Sequence, residues 1–156
     1  MTAQRIVIAA IFCAAISTPA IAQTATIPII VEGKCDPKSG VAIGDDEKGD
    51  FECDTAVIAR TERGTVLIQF TDKAGIDGRI LGFAGTIEGK QSFGADPTQI
   101  IAVERLYLKG GSEPLTATRG TCFLNWDRRK ITSVLCGAGA DFNGMDIKAM
   151  AALTAR

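Results

Sequence analysis

The chain has 156 residues and none of them is histidine. Without an imidazole, the Ser-His-Asp and Cys-His forms of nucleophilic catalysis are excluded, and so is any zinc or haem site that needs a histidine ligand. An enzyme with this sequence would have to act through carboxylates, tyrosine, lysine or a bound metal. The sequence therefore favours a non-catalytic protein, and it predicts no cofactor.

Long apolar runs are also lacking. The run Ile6–Ile16 has 11 residues, whereas a membrane-spanning helix needs about 20. A single cation, Arg5, precedes this run, and Pro19 and an Ala-x-Ala sequence follow it, which is typical of a secretory signal peptide. We therefore expect a cleaved leader over residues 1–22 and a single domain without a transmembrane segment over residues 23–156. The alternative is a retained membrane anchor.

Neither charge is in excess. Because the predicted leader contains one cation and no carboxylate, the mature chain has 16 Lys and Arg against 18 Asp and Glu, a net charge of −2. Nucleic-acid binding depends largely on a basic surface that neutralises phosphates. The sequence therefore predicts no nucleic-acid partner.

The cysteines lack the C-x-x-C spacing of zinc sites. Of five cysteines, Cys13 lies in the predicted leader, and Cys35, Cys53, Cys122 and Cys136 remain. An even set in an exported chain indicates two disulfides. The predicted location is therefore the oxidising periplasm or the extracellular space.

A hairpin register predicts the disulfide pairing. If Arg128–Lys130 is a three-residue turn, Cys122 lies directly opposite Cys136, with Cβ atoms about 4.5–5.5 Å apart. Closing that loop contributes roughly 3 kcal/mol in the chain-entropy model. The second disulfide would then join Cys35 to Cys53, although two other pairings stay formally open.

The mature sequence is typical of an all-β fold. Short runs of β-branched and aromatic residues alternate with Gly, Asn and Asp. We expect a single antiparallel meander of about seven to eight strands, forming a small barrel or a sandwich. Residues 98–109 carry apolar side chains on both faces, which predicts cover on both sides over part of that strand. The predicted strands are near residues 25–32, 55–60, 64–71, 79–88, 98–109, 115–126, 130–140 and 145–153.

Turn residues define the connections. Asp77-Gly78, Gly110-Gly111 and Asn143-Gly144 supply the positive φ that tight hairpins require. Residues 149–153 favour a helix by propensity. A hairpin at Asn143-Gly144 would instead make this segment a returning strand, which we consider the better prediction.

One candidate binding site is the sequence around the only tryptophan. Trp126, Arg128, Arg129 and Lys130 combine an aromatic ring with three consecutive cations. Such a group can bind a phosphate, an acidic glycan or an acidic protein. The alternative is an ordinary solvated turn, with the tryptophan covering the end of the core.

A second candidate is the acidic segment inside the predicted Cys35–Cys53 loop. Residues 45–54 contain six carboxylates, and calcium takes about six to eight oxygen ligands. The segment lacks the spacing of an EF-hand loop, and a solvated loop is the alternative. The candidate calcium ligands are Asp45, Asp46, Glu47, Asp50 and Glu52.

A third candidate is a pair of carboxylates in a glycosidase-like site. Glu104 with Asp127, or with Glu88, would need to lie roughly 5–9.5 Å apart across a cleft. Nothing in the sequence places these residues together.

These observations favour an exported, non-catalytic β domain that binds another protein or an envelope component. The alternatives are a carboxylate-based hydrolase of an envelope polymer and a calcium-dependent structural or adhesive domain.

Overall fold

The computed structural model describes residues 27–45, 49–61, 64–71, 80–89, 93–94, 97–108 and 113–156. The predicted leader and the Asp77-Gly78 and Gly110-Gly111 turns lie outside these residues. No helix in this part of the chain has the length and apolarity needed to cross a membrane. The ten strands in it are β1 (Ile29–Cys35), β2 (Gly40–Ile43), β3 (Gly49–Asp50), β4 (Thr55–Arg60), β5 (Thr65–Thr71), β6 (Ile80–Ile87), β7 (Thr98–Tyr107), β8 (Leu115–Asp127), β9 (Lys130–Phe142) and β10 (Met145–Ala155).

The strands form one closed antiparallel sheet. Strands β4 to β10 are neighbours in chain order, and β1 pairs with both β4 and β10. Eight strands therefore close into a barrel, and the short strands β2 and β3 extend the sheet beside β10. The predicted all-β meander is confirmed, with ten strands rather than seven or eight. The two extra strands have four and two residues, too few to show an alternating pattern in the sequence.

Two consecutive short strands, β1 and β2, pair with the same edge of β10. Strand β1 pairs with the end of β10 and β2 with its first half, so residues 36–39 leave the ladder between them. Ser39 is fully buried there, and its Oγ accepts a hydrogen bond of 3.2 Å from the Ala152 amide. The Ala152 carbonyl accepts a bond of 2.8 Å from the Asp36 amide. The backbone polar groups of Ala152 are thus satisfied across the gap.

Apolar side chains fill the interior of the barrel. In β5, Val66, Ile68 and Phe70 are fully buried, and the residues between them are partly exposed, as the alternation predicted. Phe70 packs edge-on against Phe83 of β6, with ring centroids 5.9 Å apart. An eight-stranded barrel is just wide enough for side chains to occupy it. The core is therefore continuous across the ring.

Strand β7 differs from the prediction that both of its faces are covered. Ile101, Val103 and Leu106 are buried, whereas Glu104 and Arg105 are exposed in succession. A β-bulge lies at this point, where the register with β6 and β8 shifts. Because of the extra residue, the buried positions change from odd-numbered (Ile101, Val103) to even-numbered (Leu106) residues. The apparently two-sided pattern is therefore one buried face with a change of phase.

Both predicted disulfides are present. Cys122 and Cys136 are opposite each other in β8 and β9, are fully buried, and have Cα atoms 4.0 Å apart. Cys35 and Cys53 join the end of β1 to the segment before β4, with Cα atoms 5.1 Å apart. Two disulfides are compatible with an oxidising, exported location.

The turn between β8 and β9 is shorter than predicted. Asp127 pairs with Lys130, so the turn has two residues, Arg128 and Arg129, instead of three. A bulge at Thr132 then shifts the register by one residue. The cysteine register was correct because this bulge compensates for the shorter turn.

The C-terminal segment is a strand, as the hairpin predicted. Asn143 and Gly144 have φ values of 54° and 79°, and Phe142 pairs with Met145 across the turn. Strand β10 pairs with β9 along nearly its whole length. These ladder bonds outweigh the helix propensity of the alanine-rich tail.

Candidate functional site

The β8–β9 turn presents three cations at one end of the barrel. Arg128, Arg129 and Lys130 are all exposed, and Lys130 lies opposite Asp127 across the hairpin. The turn projects beyond the last ladder pair, so both guanidinium groups extend into solvent. We call Arg128, Arg129 and Lys130 the cationic tip.

The two arginines have an unusual backbone. Their φ values are 45° and 71°, in the left-handed region that costs an ordinary residue about 1–2 kcal/mol. The two-residue turn between β9 and β10 has Asn143-Gly144 at these positions, the pair that such turns prefer. The chain therefore carries arginine where its own second turn shows the less strained solution.

Trp126 lies beneath the cationic tip rather than beside it. Its indole ring packs edge-on against Phe93, with centroids 5.4 Å apart, and lies next to Gly94. Opposite it in the ladder is the buried Ile131. The structure therefore places the predicted tryptophan at the end of the core and the three cations in solvent.

Phe93 and Gly94, from the segment before β7, pack over this end of the barrel. The fully buried Gln99 accepts a hydrogen bond of 3.0 Å from the Gly94 amide through Oε1. The Arg60 guanidinium lies 5.7 Å from the centroid of the Phe93 ring, within the range of a cation–π contact. The buried Nε1 of Trp126 has no hydrogen-bond partner among the described residues.

The predicted calcium ligands are only partly within the described residues. Asp45, Asp50 and Glu52 are exposed, whereas Asp46 and Glu47 lie outside the described part of the chain. Asp50 and Glu52 line a depression beside the Cys35–Cys53 disulfide. In the part of the chain that the structure covers, no group of three or more acidic or cysteine side chains is arranged to hold a metal ion.

The carboxylates of the glycosidase hypothesis do not converge. Glu88 lies opposite Ile100 across the β6–β7 ladder, four residues from Glu104 and thus about 13 Å away along the strand. Thr98 pairs with Asn125 at one end of the β7–β8 ladder, and Arg105 pairs with Thr116 towards the other end. Glu104 and Asp127 are thus roughly 26 Å apart along the strands. The exposed Glu104 accepts a hydrogen bond of 3.0 Å from the Thr86 hydroxyl.

A groove on the outer wall of the barrel was missed at the sequence level. It crosses β8, β9 and β10, and its floor contains Gly137 and Gly139. Their spacing of two in a strand indicates a missing row of side chains on one face. This signal becomes meaningful only once the outward face of β9 is known.

Comparison of the chain with protein-family models, with curated proteins and with solved structures finds no match. The function is therefore inferred from the residues and their arrangement.

Proposed function

We propose that this chain is an exported, non-catalytic binding or accessory protein of the cell envelope or extracellular space. Its contact with an acidic partner is centred on the cationic tip. The observation that carries this proposal is the left-handed conformation of Arg128 and Arg129. Backbone strain held at an exposed turn points to a role other than stability.

The filled interior supports binding at the outer surface. The largest of the fully buried side chains come from six ring strands, and the buried disulfide lies among them. Eight-stranded barrels that hold a ligand leave part of the interior free for it. Here apolar side chains of the described residues occupy that space, which favours the exposed loops and walls as surfaces for recognition. The side chains are Phe70, Phe83, Ile58, Ile68, Leu81, Ile101, Leu106, Leu124 and Leu153.

The charge and position of the cationic tip suit an acidic partner. Guanidinium groups make paired hydrogen bonds to carboxylates, and an exposed cluster of like charge speeds association with a surface of opposite charge. The packing of Trp126 and Phe93 beneath the turn gives the hairpin a firm base. The tip thus presents its charge on a rigid element, as a binding site requires.

The proposed location depends on the leader over residues 1–22 and on the disulfides. Buried cystines are stable in oxidising compartments and rare in the cytosol. Both disulfides form within residues 23–156, and they fit a domain that works outside the cytosol.

Affinity capture with the immobilised mature chain tests this function. The key variant is Arg128→Asn/Arg129→Gly, which removes both cations but supplies the residues that the turn prefers. Arg105→Gln, an exposed cation on β7, is the matched control. We expect an acidic partner from the envelope fraction to be retained by the wild type and by the control.

The tip variant should lose this partner while its melting temperature is unchanged or higher. Equal retention by all three proteins would move the contact away from the tip. The absence of any reproducible partner would contradict the proposed binding function.

A further inference from the structure

The outer wall of the barrel has a groove where strand β9 lacks side chains. Gly137 and Gly139 face outwards between β8 and β10, and they form the floor of a concavity of about 470 Å³. A Cβ atom added at Gly137 would meet its nearest atom, the Ala149 carbonyl oxygen, only at 3.9 Å. The space above Gly137 is therefore open.

Apolar side chains form one half of this groove. Phe123 and Met150 flank it from β8 and β10, and Leu135 of β9 closes the row. Leu135 is 40% exposed although it lies in the middle of a long strand. An apolar side chain of a partner could be buried here against three others.

Two cations form the other half. Arg119 and Lys148 lie opposite Gly139 on its two sides, and the Arg119 side chain crosses the glycine. Lys148 makes an ion pair of 3.0 Å with Asp146, but exposed pairs of this kind contribute little and exchange readily. A smaller concavity beside it shares Lys148 and includes Lys38. Among the described residues that line the two concavities there is no carboxylate.

The spacing between the two halves is that of an extended chain. Gly139 and Gly137 are two residues apart in β9, a distance of about 6.6 Å along the strand. Side chains on one face of an extended segment repeat at the same interval. A partner segment lying along β9 could thus place an apolar side chain above Gly137. Its side chain two residues away would then lie between Arg119 and Lys148, where an acidic group would be bound.

The shape of the groove favours a polypeptide segment over a small molecule. Small-molecule sites enclose most of their ligand, whereas this groove lies on the outside of a wall and is open along its length. A segment that is part of a larger partner protein needs to bury only the face that contacts the groove.

We propose that the groove between β8 and β10 binds an extended segment of a partner protein in which an acidic and a large apolar residue are two positions apart. This inference rests on the proposed binding function only in taking the partner to be a protein. It places a second contact on the wall, apart from the cationic tip.

Three substitutions test the groove. Gly137→Val fills the space above the floor with a residue that suits a strand, and Arg119→Gln/Lys148→Gln removes the charge. The matched controls are Gln69→Val on the outer face of β5 and Arg105→Gln on β7, both outside the groove. Circular dichroism and thermal melts confirm that each variant is folded.

The probe is a phage-displayed library of random dodecapeptides, selected on the wild-type mature chain. We expect the enriched peptides to share the acidic and apolar residues at a spacing of two. By fluorescence polarisation, their affinity should fall about tenfold or more for Gly137→Val and for the charge variant, as when a central anchor is lost. The two controls and the tip variant should bind them as the wild type does.

Three results would overturn the inference. These are a selection without enriched peptides, enriched peptides without this spacing, and peptides that bind Gly137→Val as tightly as the wild type. Sedimentation showing a dimer that Gly137→Val abolishes would assign the groove to a second copy instead. None of these results bears on capture through the cationic tip, so the two proposals fail separately.

Discussion

Arg128 and Arg129 are the residues at which stability and the proposed function oppose each other. Both hold a positive φ in an exposed turn, and neither contributes to the core. At Asn143-Gly144 the same turn geometry is formed by residues that adopt it readily.

Arg128→Asn/Arg129→Gly should therefore stabilise the fold by about 1–2 kcal/mol, because the left-handed conformation costs less for the new pair. Urea unfolding followed by circular dichroism measures this change. The control is Thr132→Asn/Ser133→Gly, which places the same residues in the strand beyond the turn and should lower the free energy of unfolding. A tip variant less stable than the wild type would show that the arginines support the fold.

Ser39 has the opposite role, since its hydroxyl is structural. Ser39→Ala would leave the part-buried Ala152 amide without its acceptor, and we expect a loss of about 1–3 kcal/mol in the free energy of unfolding. The exposed Thr154→Ala, also on the wall of β10, is the comparison and should change stability by less than about 0.5 kcal/mol. Equal effects in urea melts would contradict the role given to the Ser39 hydroxyl.

Within the strands, glycines differ in whether the fold has room for a side chain at their position. Gly85 lies at the bulge between β6 and β7, where an added Cβ would collide with the backbone of Ala102. At Gly137 in β9, the space that an added Cβ atom would occupy is free.

Gly85→Ala should accordingly destabilise the barrel by about 1–3 kcal/mol, because the backbone must move to admit the methyl group. Gly137→Ala should leave stability unchanged or raise it by up to about 1 kcal/mol. Thermal melts of the two variants provide the measurement. If both glycines tolerate alanine equally, the close approach at the bulge is not a constraint.

The ring strands were predictable from the sequence because their inward and outward residues alternate. Val66, Ile68 and Phe70 show this pattern plainly, and the bounds of β4 agree with the predicted 55–60. Bulges were not predictable. At Glu104 and Arg105 the change of phase looked like burial on both faces, and at Thr132 it hid the true length of the turn.

The candidate site was predictable only in part, for physical reasons. Three consecutive cations could be read as an exposed group, but the inward direction of Trp126 depends on Phe93 and Gly94, which a distant loop supplies. The wall groove requires β8, β9 and β10 to be adjacent with a known register. Closure of the ring similarly depends on pairing between the first and last strands.

For the molecule as a whole, the proposed location makes a chemical prediction. The chain exported by a bacterial host should begin at Gln23 and contain no free thiol, because its four remaining cysteines form two disulfides. Intact mass spectrometry and maleimide labelling of the denatured, unreduced protein check both points. An uncleaved N-terminus or a labelled cysteine would contradict this account of the exported domain.

We propose that an acidic partner is bound through the charge of the cationic tip. It is tested most directly by the dissociation constant of the captured partner for the wild type and for Arg128→Asn/Arg129→Gly, at 50 and at 300 mM salt. At low salt, we expect the wild type to bind the partner at least about tenfold more tightly than the variant does. This difference in affinity should become smaller at high salt, because the charges are screened. Equal constants at both salt concentrations would contradict the claim.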